Sequence, residues 1–170
     1  MSTEGRINWN KVFSLNSMGD SKEDSALLAI MAVEAKEYTI KHRWCTNVLE
    51  LYWGLGVGKC FAVFLSKILP AISGVDEYLW VIVGDIPSLY IVTDNASTPA
   101  QALYEYIKIM EQWANAAIKQ ERNAELLLPP VAAPFTIEHG RMLSVRLNFM
   151  KGYLKKYYKE DLSEEDDTDE

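Results

Sequence analysis

The stretch Trp80-Val-Ile-Val-Gly-Asp-Ile-Pro-Ser-Leu-Tyr90 decides how this chain is read, because it joins two strand-like runs through one tight turn. Val81, Ile82 and Val83 are β-branched and favour a buried, extended backbone. Gly84 and Asp85 are turn formers, and Pro87 pre-sets φ for the chain entering Leu89. The same pattern repeats outward. Apolar, β-branched and aromatic residues cluster in four runs, at 48–53, 60–69, 78–83 and 89–93, separated by turn formers at 54–58, 70–76 and 84–87. Each break is too short for a parallel crossover, so the runs predict a four-stranded antiparallel meander in chain order.

Helices are expected on either side of the strands. Ser21 followed by Asp24 forms a capping pair, and Leu28, Met31, Ala35, Tyr38, His42 and Cys45 recur on one helical stripe. That helix is expected to end near Arg43. Thr98-Pro99-Ala100-Gln101 carries a cap, a proline at the first helical position and a side chain able to close a capping box. Leu128-Pro-Pro-Val-Ala-Ala-Pro134 reads as a strap between helices, since proline clashes with a preceding helical turn. A last helix is expected over 136–159, with Leu143, Leu147, Met150, Leu154 and Tyr157 on its core stripe and Arg141, Lys155 and Lys159 on a solvated basic back. The fold class is therefore α+β, a meander flanked by three main helices.

The chain has 170 residues, enough for one domain with its own core, and a formal net charge of −7. Eight of the 24 acidic residues lie in 160–170, where no basic residue occurs, which leaves 16 acidic against 17 basic residues elsewhere. The expected organisation is a single near-neutral domain over 1–159 and a disordered acidic tail over 160–170. Nothing in that balance points to nucleic acid. Residues 1–10 lack the basic-then-apolar layout of a signal peptide, and the apolar runs at 61–65 and 79–83 fall far short of the roughly 20 residues that cross a bilayer. A cytoplasmic location with no membrane partner is expected, and the two cysteines are expected to stay reduced.

Gly54-Leu-Gly-Val-Gly-Lys59 invites a phosphate-loop reading, but such a loop needs glycine where Trp53 stands and Ser or Thr where Cys60 stands. His42 and Cys45, with Cys60 and His139, have the atom types for zinc or thiol chemistry, yet only one pair is local and it lies on the core stripe. Asp85, Asp94 and Glu138 fit turn, bend and helix-dipole roles as well as they fit acid or base catalysis. No catalytic residue, metal ligand or cofactor is assigned.

The segment 78–90, followed by Thr98-Pro99 opening a helix, resembles a group of uncharacterised bacterial proteins with an aromatic, Gly-Asp-Leu-Pro and Tyr core. Arg43-Trp44-Cys45 and the glycines 54–58 fit the same resemblance, which covers about residues 43–150. Ser88-Leu89 departs from the Pro-Ala of that group. The resemblance implies a bacterial source and brings no activity.

The leading expectation is a non-catalytic binding or regulatory protein of inhibitor or immunity type, with a protein partner and with homo-oligomerisation open to it. Trp80, Asp85, Pro87, Tyr90, Gly56 and Gly58 are its candidate binding residues. The alternative is a small-molecule enzyme, a hydrolase, using Asp85 and Tyr90 around the loop 84–87.

Overall fold

A computed structural model describes residues 6–122 and 128–166 of the chain. The fold is α+β, with a four-stranded antiparallel meander and three main helices. Two compact units divide it, Met1–Leu103 and Tyr104–Glu170.

The first unit begins with two single 3-10 turns, Trp9–Lys11 and Leu15–Ser17, and then enters helix α1, Lys22–Ile40. Ser21 caps α1 as its sequence requires, its Oγ accepting the Asp24 N–H at 3.1 Å. The helix stops at Ile40, short of Arg43, because the chain turns through residues 41–44 and Cys45 opens a strand instead of closing a helical stripe. Strands β1 (Cys45–Val57), β2 (Phe61–Pro70), β3 (Tyr78–Gly84) and β4 (Leu89–Val92) follow in the spatial order β1-β2-β3-β4.

Strand β1 is longer than its apolar run. Gly54 and Gly56 lie inside it, where the sequence suggests a turn, because each is pressed against a neighbouring backbone. A Cβ on Gly54 would sit 2.8 Å from the Val63 carbonyl oxygen and from the Pro99 ring, and one on Gly56 would sit 2.7 Å from the Phe61 carbonyl oxygen. These glycines serve close approach, not chain reversal. The reversal itself falls at Gly58 and Lys59, where Lys59 takes a φ of 71°.

Leu65 faces Trp80, which faces Ile91, while Phe64 faces Val81, which faces Tyr90. Ala62, Phe64, Val81 and Val83 project toward α1 and pack with Leu28, Met31, Ala32, Ala35 and Met18. On the opposite face Phe61, Val63, Leu65, Trp80 and Ile82 are also buried. Both faces of β2 and β3 are thus covered, which is why their sequences read as continuous apolar runs. Trp80 is wholly buried, and its Nε1–H donates to the Ala96 carbonyl at 2.8 Å.

Helix α2, Pro99–Lys119, opens in the first unit. The Thr98 Oγ1 accepts the Gln101 N–H, and the Gln101 Oε1 reaches back to the N–H and hydroxyl of Ser97. In the second unit α2 continues, followed by α3 (Ile137–Tyr157) and α4 (Lys159–Asp166). Thr136 caps α3 through the His139 N–H. Gly140 lets α3 meet α2, since a Cβ there would lie 2.8 Å from the Ala114 carbonyl oxygen. Lys151 and Glu111 join the same two helices at 2.9 Å. The back of α3 is not uniformly basic: Met142, Val145 and Phe149 are exposed beside Arg141 and Lys155. At Tyr158 the backbone leaves helical geometry, and the acidic stretch that follows begins as the eight-residue helix α4, with Glu160 and Asp161 at its positive end. Among the described residues no helix is long and apolar enough to cross a membrane.

Candidate functional site

The candidate binding residues occupy three places in the first unit. At one end of the sheet the β1–β2 turn lies beside the β3–β4 turn, with Phe61 opposite Gly84 and the Asp85 N–H donating to the Cys60 carbonyl at 3.0 Å. Gly58, Gly84, Asp85 and Pro87 belong to this end. Gly84 has a φ of 143°, and a Cβ there would come within 2.4 Å of the Cys60 oxygen. The Gly58 N–H is bound by the Asp24 carboxylate at 3.0 Å, so it is committed to the helix start. Neither turn is followed by a helix, and the glycine segment therefore lacks the helix N-terminus on which a phosphate loop depends.

Tyr90 belongs elsewhere. It pairs with Val81, four residues before Asp85, which separates the two by about 13 Å along the strand direction. Its ring meets His42 and Trp44 edge-on, at centroid separations of 5.3 and 5.0 Å. His42 also stacks on Trp44 at 4.6 Å and meets Tyr38 edge-on at 4.8 Å. Four half-buried rings thus close over the end of α1, and the His42 Nδ1 lies 3.3 Å from the Thr39 carbonyl. Burial pushes the Tyr38 hydroxyl pKa up to about 12, with the neighbouring Tyr90 adding to the rise and a Tyr90 backbone hydrogen bond opposing it. Sequence spacing placed Tyr38 and His42 on one stripe but held no sign that Trp44 and Tyr90 complete the cluster. Trp80 is in neither place, being sealed within the sheet.

The cysteines lie at opposite ends of β2. Cys45 faces Pro70, whereas Cys60 precedes Phe61, about 30 Å away along the strand and far beyond disulfide reach. Cys45 is buried, its thiol donates to the Asn47 carbonyl, and burial pushes its pKa up, all of which suit an inert thiol. His139 is engaged in the α3 cap, its Nδ1 lying 2.7 Å from the Thr136 Oγ1. Asp94 pairs with Arg6, and Glu138 lies in the first turn of α3. Among the described residues no cluster of three His, Cys, Asp or Glu side chains could hold a metal ion.

The surface that sequence reasoning missed runs between α1 and the outer edge of β1. A groove of about 450 Å³ is walled by Ala29, Ala32, Val33 and Lys36 on the helix, by residues 48–51 on the strand, and is closed by Leu15 and Met18. Val33 is 57% exposed and Leu49 50%. Among the described residues, only the single Phe13–Trp53 bridge pairs with the outer edge of β1. Three register irregularities interrupt β1, and the Asn47 side chain accepts the Val48 N–H. Both features blunt an edge against strand addition. The available signal was that α1 carries apolar residues on both faces, with Ile30, Val33 and Ile40 off its core stripe.

No protein-family model, curated protein or solved structure matches the chain.

Proposed function

We propose that the chain is a non-catalytic binding protein that docks another protein on the apolar face formed by α1 and β1. The observation carrying this reading is the groove flanked by exposed Val33 and Leu49. Exposed apolar surface of this kind favours association by removing area from water, at roughly 25 cal/mol per Å² buried. The irregular edge of β1 favours a helix in the groove over an added strand. A protein acting in this way works by occupying a partner's surface, as an inhibitor or immunity protein does. The separation of Asp85 from Tyr90 offers no support to a hydrolase at the 84–87 loop.

The test is photo-crosslinking in the cells that produce the protein, with a photoreactive residue replacing Leu49. The expected result is one discrete protein adduct, lost in a Val33→Asp background whose melting temperature is unchanged. No adduct, or an adduct indifferent to Val33→Asp, would overturn the reading.

A further inference from the structure

We infer that the exposed face of α3 rests on an anionic lipid surface, with Met142, Val145 and Phe149 entering the headgroup layer and Arg141 and Lys155 beside them binding lipid phosphates. This goes beyond the α1–β1 reading and does not depend on it.

One side of α3 is buried through Leu143, Leu147, Met150 and Leu154, while Met142, Val145 and Phe149 on the other are 43%, 70% and 54% exposed. These three share one stripe at 100° per residue and span about 10 Å of helix. Gly152 lies further along it, and a Cβ there would meet nothing within 4 Å, so the face is open at that turn as well. The helix carries five cationic residues and one acid, Glu138 in its first turn. Lys151 is taken by Glu111. Arg141 and Lys155 border the stripe on one side, exposed and without an ion-pair partner among the described residues. Arg146 borders the other, its guanidinium donating to the Met142 carbonyl at 3.2 Å. The acidic stretch begins only after Tyr157, about 16 Å or more along the helix from Arg146 and Arg141. With a Debye length of about 8 Å at physiological salt, it offsets the Lys155 end and leaves the two arginines to act.

Apolar side chains ringed by cations suit two kinds of anionic partner, and size separates them. A stable protein interface takes about 800 Å² from each partner around a dry core, more than three side chains on two turns of one helix supply. A bilayer needs no matching shape. Each apolar group that reaches the acyl boundary and each cation near the phosphates adds its own share.

Co-sedimentation of the full chain with vesicles tests the inference. The chain should bind vesicles of equal parts phosphatidylglycerol and phosphatidylcholine, lose that binding at high salt, and leave pure phosphatidylcholine alone. Arg141→Gln with Lys155→Gln should weaken the binding about tenfold. Val145→Asp, which changes the most exposed apolar residue of the stripe, should weaken it by a similar factor with the melting temperature unchanged. No binding to the mixed vesicles, equal binding to both kinds, or binding indifferent to either variant would overturn the inference. A chain that ignores vesicles yet gives a protein adduct in cells from a photoreactive residue at position 145 would also overturn it, and would assign this face to a protein.

Discussion

The Asp24 carboxylate accepts the Gly58 backbone N–H at 3.0 Å across thirty-four residues of chain, fastening the start of α1 to the β1–β2 turn. Its second oxygen accepts the Asp20 N–H at 3.1 Å. A residue that reads as a local capping partner therefore also sets how the helix lies on the sheet. Asp24→Ala should destabilise the protein by about 1–2 kcal/mol, with Asp24→Asn intermediate. Urea unfolding would check this as a lowered midpoint at constant slope.

Gly84 and Gly74 both have positive φ, but only Gly84 is crowded, as a Cβ at Gly74 would meet nothing within 4 Å. Gly74→Ala should cost about 1 kcal/mol from backbone strain alone. Gly84→Ala should cost clearly more, about 3 kcal/mol, because the β2 backbone must also move. Thermal unfolding of the two variants measures the difference directly.

Tyr38 makes stability fall at high pH. Its folded pKa of about 12 lies above the ordinary 10.0, so the folded state keeps a proton that the unfolded state has released. The stabilisation is whole below pH 10 and is lost between about pH 10 and 12. Partial exposure screens the effect to roughly 1 kcal/mol. Tyr38→Phe should flatten this slope, and the absorbance of tyrosinate should show one late-titrating group that the variant lacks.

Within the segment 80–90 the cost of substitution should follow burial. Trp80→Phe removes the donor to the Ala96 carbonyl and leaves space in a closed core, for a loss of about 2 kcal/mol. Asp85 is exposed, and its backbone N–H survives substitution, so Asp85→Ala should cost less than about 1 kcal/mol. Denaturation curves of both variants settle the order.

Removal of residues 160–170 should leave the melting temperature nearly unchanged at moderate salt. The helix α4 has only eight residues, too few to be stable by itself. A loss of several degrees would show instead that this stretch docks on the folded chain.

The caps at Ser21 and Thr98 were legible because a cap is a contact between residues three apart, complete within its own sequence. The meander was legible for a related reason: short turns leave antiparallel neighbours as the only pairing available, and alternation between Leu65, Trp80 and Ile91 follows once the register is set. Gly54 and Gly56 misled because glycine marks both reversal and close approach, and only the nearness of the Val63 and Phe61 backbones separates the two. Tertiary structure alone gathered Tyr38, His42, Trp44 and Tyr90 around one end of α1 and set Asp85 apart from Tyr90, since those distances depend on register and on how the helix crosses the sheet. It alone left Val33 and Leu49 uncovered. An apolar residue looks the same in sequence whether a neighbour shields it or not, and shielding is decided by chain segments far from it.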